Sequence, residues 1–154
     1  QDVNSLISKI NDESYFCKEK VIEAFNDSLN TLKQREKGLD LTVSDIIEKH
    51  ASKEKLFHVF NHPSLTIISE LMKKIMIMIN IDIEEIKGSD TLNRTTYPVY
   101  SSIYKHLGFN FNNPHQYKID NNEYSAVDYI RRIIGFVEEN KPIVKFNLEL
   151  NNYI

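Results

Sequence analysis

Residues 65–79 run Leu-Thr-Ile-Ile-Ser-Glu-Leu-Met-Lys-Lys-Ile-Met-Ile-Met-Ile, with Leu65, Ile68, Leu71, Met72, Ile75, Met76 and Ile79 at helical spacing. A helix of this kind is apolar over more than half its circumference, so it needs contact on several sides and is expected at the centre of the core. It is not a membrane span. Glu70, Lys73, Lys74, Asn80 and Asp82 interrupt the apolar window, and the uninterrupted apolar stretch, residues 75–79, is far shorter than the roughly 20 residues a bilayer requires. Pro63 lies just ahead and suits the first turn of a helix, where its missing N–H does no harm.

A chain of 154 residues, 41% of them hydrophobic, can fold around such a helix as one domain over residues 1–154. A formal net charge of -3 provides no broad positive field, so no nucleic-acid partner is expected. The single cysteine, Cys17, excludes an internal disulfide and a zinc site of several thiolates, and points to a reducing, cytoplasmic location. Four glycines argue against a glycine-rich nucleotide loop. Residues 1–5 show no basic segment leading into a long apolar run, so no secretory signal is expected. His50, His58, His106 and His115 are scattered, without metal-ligand spacing, and no metal site is expected.

The remaining elements are also mostly helical. Val3, Leu6, Ile7 and Ile10 predict a first helix, and Tyr15, Ile22, Phe25, Leu29 and Leu32 place a second over residues 13–37, stopped by Gly38. Cys17 would then be a packed helix thiol. Thr42-Val43-Ser44-Asp45 resembles a capping box for a short helix. Leu56-Phe57-His58-Val59-Phe60 reads as a strand, and Tyr97-Pro98 as a helix start leading to Leu107 and Gly108. Residues 110–122 are polar and turn-rich. Ser125-Ala126-Val127-Asp128 is a capping box for a last helix, and the alternation of Val144, Phe146, Leu148 and Leu150 suggests an edge strand. The expected class is mainly α with one or two short strands, as a domain or as the C-terminal part of a larger α/β protein.

The chemistry concentrates where the strand passes into the apolar helix, at Asn61-His62-Pro63-Ser64. A helix start offers unpaired N–H groups and the positive end of the dipole to a phosphate or a developing oxyanion, and His62 can act as a base near neutral pH. The plainer reading is that Asn61 or His62 caps the helix and nothing binds. Tyr97, Tyr100 and Tyr104 share one face of the expected helix, for stacking a ring or, more commonly, for core packing. Lys53 and Lys55 offer charge to a phosphate or are ordinary surface lysines.

The segment Leu56 to Ser64, with Leu32-Lys33-Gln34-Arg35-Glu36 and Val43-Ser44-Asp45-Ile46-Ile47 before it, resembles the C-terminal part of the WcbI family of polysaccharide-biosynthesis proteins, in which Asn-His-Pro opens a long apolar helix. The resemblance implies a largely helical acetyltransferase that binds coenzyme A or acetyl-CoA and acts on a capsular or other surface-polysaccharide or sugar acceptor. It makes His62 the catalytic group and Asn61, Pro63, Ser64 and Arg35 the cofactor-binding ones. The family's Gly-Asn-Cys-Gln element is absent, so its cysteine role is not carried to Cys17. That absence leaves room for a complementing N-terminal half or a homo-oligomer. The alternative function is a non-catalytic helical interaction module of a larger glycan-synthesis protein. A fragment of a nucleotide-sugar glycosyltransferase ranks last, because the acidic metal-binding motif is missing.

Overall fold

Six α-helices and two short antiparallel hairpins make up residues 3–82 and 88–140, the part of the chain described by a computed structural model. The class is mainly α, with four short strands where one or two were expected. The alternating segment at residues 144–150 lies outside the described residues.

Helix α1 (Val3–Asn11) is followed by a turn built on Asp12, whose Oδ1 accepts from Ser14 N at 2.8 Å and Ser14 Oγ at 2.7 Å. This turn competes with helix formation, so α2 (Lys18–Arg35) starts at Lys18 rather than at residue 13. Cys17 becomes the N-cap residue. It is exposed and its Sγ donates to Glu19 Oε2 at 2.7 Å, which corrects the expectation of a packed thiol. Gly38 ends this region with φ at +83°, a conformation open to glycine at little cost.

Helix α3 (Ser44–His50) is capped from a distance. Thr42 bonds Asp45 through its side chain at 2.9 Å, but the α3 N–H groups go to Glu36. Its Oε1 accepts from Val43 N at 2.6 Å, and both carboxylate oxygens accept from Ser44 N. Burial acts to raise the Glu36 carboxyl, yet the hydrogen bonds from Ser44 and Val43 outweigh it and hold the group below the ordinary glutamate value.

Strand β1 (Phe57–Val59) does not run straight into a helix, as expected, but turns at Phe60 and Asn61 and pairs with β2 (His62–Pro63). Pro63 is therefore a strand residue ahead of the N-cap Ser64, not part of the first turn of α4 (Leu65–Met78). Helix α5 is Ser101–His106, later than Tyr97-Pro98 suggested, because Tyr97 N donates to His58 O and Thr96 bridges Lys118, which keep this stretch extended. The polar stretch at residues 110–122 contains β3 (Gln116–Ile119), paired in regular register with β4 (Asn122–Ser125). Its two-residue turn, Asp120 and Asn121, has φ of +48° and +68°, as a tight hairpin of matching twist requires. Helix α6 (Ala126–Glu139) follows at once.

Ile46, Leu56 and Ile67 form a buried cluster with Val43, Ile47, Ala51 and Leu71 around it. Helix α4 flanks this core rather than occupying its centre: Ile67 is its one buried residue, while Ile75, Ile77, Met78 and Ile79 are exposed. A second apolar region joins α1, α5 and α6, where Tyr117 and Tyr129 stack at 4.0 Å with Tyr97 beside them. Tyr100 instead meets Tyr15 and Phe16, and Tyr104 meets Phe109 and Phe111, so the three tyrosines do not form one stacking face; they sit in separate aromatic clusters, with Tyr97 and Tyr100 exposed.

Candidate functional site

The β1–β2 hairpin pairs Phe57 with Pro63 and Val59 with His62, which leaves His58 as the extra residue of a bulge. A bulge re-aims a side chain. Here the His58 ring turns to Asp90, with Nε2 at 2.8 Å from Oδ2, and the same oxygen accepts the Leu65 N–H at 3.1 Å. Asp90 comes from the loop ahead of a 3-10 turn at Thr91–Arg94, so a residue remote in sequence performs the N-capping of α4. A carboxylate at this positive helix end is electrostatically favourable.

Ser64 is thereby released from capping. It has the extended backbone of an N-cap residue, φ −72° and ψ 164°, yet its side chain makes no cap bond. Its N–H donates to Leu56 O at 2.8 Å. Among the described residues, four buried side-chain polar atoms lack a hydrogen-bond partner: His62 Nδ1, Ser64 Oγ, His50 Nε2 and Ser102 Oγ. The first two flank Pro63 at the entrance to α4. An unpaired buried polar group costs about 1–3 kcal/mol, so each of these two atoms asks for a partner. A hydroxyl gives and takes a hydrogen bond and an imidazole nitrogen does one or the other, so both can bond a polar ligand group.

Asn61, His62, Pro63 and Ser64 thus sit together, with Asn61 exposed at the turn and His62 and Pro63 half-buried. Arg35 is placed differently. It is exposed at the end of α2, which packs on α3 and α5, and its neighbour Glu36 turns inward to cap α3. His58 and Asp90 escaped the sequence reading because they are 32 residues apart. One local sign existed: Ile67 occupies the position where a capping box would have an acid, so the start of α4 lacks the reciprocal partner of a complete box.

No group of three or more His, Cys, Asp or Glu residues able to hold a metal occurs among the described residues, and no described helix is long and apolar enough to cross a membrane. An apolar cavity of about 670 Å3 lies elsewhere, where Phe25 of α2 and Ile103 of α5 share a wall with Cys17.

The family profile of the polysaccharide biosynthesis enzyme WcbI matches residues 2–84. No curated protein sequence matches the chain. A solved structure of WcbI is similar with a TM-score of 0.67 and 19% identity, over 90% of this chain and 48% of that one. That protein is described as a polysaccharide biosynthesis enzyme, in its native form without a disulfide bond between coenzyme A and a cysteine. At this identity the likeness speaks for the fold, and this chain spans about half the length of that structure. Because the family profile covers more than half of its residues, the chain belongs to the WcbI family of polysaccharide biosynthesis enzymes.

Proposed function

We propose that the chain is an acyltransferase unit of polysaccharide biosynthesis that uses coenzyme A or acetyl-CoA as its acyl carrier and a sugar hydroxyl as its acceptor. The observation that carries this reading is the pair of unpartnered buried atoms, His62 Nδ1 and Ser64 Oγ, at the start of α4 in a WcbI-family chain. The naming of coenzyme A for the structural relative supports the choice of carrier.

When bound, the cofactor supplies an activated thioester carbonyl. His62 removes the proton from the acceptor hydroxyl, a role for which an imidazole is suited near neutral pH. Ser64 and the α4 start orient the reacting oxygen, Pro63 fixes the entry of the chain into the helix, and Asn61 offers its exposed amide at the turn. Asp90 decides which end of the cofactor comes here. Its carboxylate already holds the Leu65 N–H, so the junction favours the uncharged thioester end over the phosphates. Arg35, on another element, is the cofactor-binding residue suited to a phosphate.

A second reading has its own support. The exposed apolar residues of α4 and the half-length match to the relative suit an interaction module within a larger glycan-synthesis protein. The two readings separate when acetyl-CoA and surface polysaccharide are incubated with the full chain and release of free coenzyme A thiol is followed. The transferase reading expects release that is lost in His62→Ala with helicity retained. Release at the normal rate in that variant would overturn His62 as the base.

A further inference from the structure

Lys55, two residues ahead of β1, lines an apolar cavity of about 200 Å3 whose walls include Phe25, Leu56, Val99, Phe109 and Phe111. Its Nζ donates to the backbone carbonyl of Tyr97, which ties the β1 entrance to the segment ahead of α5. Glu54 is the charged neighbour on the same wall, and its carboxylate is engaged by Thr66 Oγ1 at 2.5 Å and His50 Nδ1 at 3.3 Å. Among the described residues, Lys55 has a neutral carbonyl as its hydrogen-bond partner. Burial in this apolar setting removes water from the ammonium and pushes its pKa down to about 8. An ordinary lysine, near 10.4, stays almost wholly charged at that pH.

We propose that Lys55 is an acylation site that takes a short acyl group from an acyl thioester, with the acyl chain seated in the cavity beside Phe109 and Phe111. The neutral amine keeps one N–H on the Tyr97 carbonyl and presents its lone pair to the thioester carbonyl carbon. A C–N bond forms, the C–S bond breaks, and the departing thiolate takes up the proton lost from Nζ, directly or through water. The product is an uncharged amide that still has an N–H for the Tyr97 carbonyl, so the burial that disfavours the ammonium favours the acylated state. The chemistry needs only a thioester. It therefore stands apart from coenzyme A binding at the α4 start, and either can fail without the other.

The test uses the unmodified full chain and a thioester that has no nucleotide, S-acetyl-N-acetylcysteamine, with acetylation of each lysine followed by peptide mass spectrometry from about pH 6 to about pH 10. The expected result is acetylation of Lys55 about tenfold faster than of its exposed neighbour Lys53 at about pH 8, with a Lys55 rate that levels off above that pH. Equal rates at the two lysines, or a Lys55 rate that climbs to about pH 10 without levelling, would overturn the proposal. Because the wild-type protein carries the measurement, no variant has to fold for it to decide.

Discussion

The two hairpins have the same local plan and differ in how they are completed. Each passes through a serine N-cap with extended backbone, Ser64 or Ser125, into a helix of 14 residues. After β3–β4 the unit is self-sufficient: Ser125 Oγ accepts the Asp128 N–H at 3.1 Å and donates to the Asp128 carboxylate at 2.6 Å. After β1–β2 it is not. Ile67 replaces the reciprocal acid, Asp90 arrives from outside to hold the Leu65 N–H, and Ser64 Oγ and His62 Nδ1 are left unpaired in the interior. A structural role needs only the first arrangement. The second keeps two polar atoms open at a helix start, and the functional reading rests on that difference.

The comparison can be broken most sharply by activity. His62→Ala is expected to lower acyl transfer by about 100-fold or more with the helical fold retained, whereas Glu123→Ala, at the equivalent place in the other hairpin, should leave transfer unchanged. Turnover and denaturant unfolding of the two variants check this. Next in size is Asp90→Ala, which strips the Leu65 N–H and the His58 ring of their shared partner and should cost about 1–3 kcal/mol in urea unfolding. A cost near zero would remove Asp90 as the cap of α4.

The serines give a smaller but cleaner contrast. Ser125→Ala should cost about 1 kcal/mol as a lost cap, while Ser64→Ala should raise stability rather than lower it, because it removes a buried hydroxyl that caps nothing and has no partner. Equal costs would erase the distinction between the two units. Glu36 supplies a pH signature at the α3 cap. Its carboxyl lies below the ordinary value in the folded state, so its contribution is fully present above the unfolded value of about 4.3 and is lost as pH falls through the folded one. Acid unfolding curves should therefore show Glu36→Gln losing that part of the dependence and converging with wild type at low pH.

Much of this was legible where the determinants are local. The α6 capping box and the helical periodicity of α1, α2 and α4 follow from neighbouring residues, and Asn61 to Ser64 is a contiguous motif, whereas α2 ends at Arg35, ahead of the stop expected at Gly38. What escaped is set by distance. Glu36 caps α3 from seven and eight residues away, and Asp90 reaches His58 and Leu65 from 32 and 25. The Asp12 turn outcompeted an apolar pattern that continued through it and moved Cys17 to the helix entrance. The β3–β4 strands are short and half polar, so their pattern resembles a loop, and it is the regular pairing about the Asp120–Asn121 turn that makes the stretch a hairpin. The breadth of the apolar surface on α4 was read correctly from its residues, but its meaning was not: one side meets the core through Ile67 and Leu71, and Ile75, Ile77 and Ile79 are exposed.

We propose the start of α4, where Asp90 holds the Leu65 N–H and leaves Ser64 free, as the place that receives the thioester end of the cofactor. The direct measurement is unfolding free energy with and without acetyl-CoA, for the wild-type chain, for Ser64→Ala and for His62→Ala. At about 100 times its dissociation constant acetyl-CoA should stabilise the wild-type protein by about 2.7 kcal/mol, with the gain reduced in Ser64→Ala and kept in His62→Ala, whose imidazole acts on the acceptor. An unchanged stability of the wild-type chain, or an undiminished gain in Ser64→Ala, would contradict it.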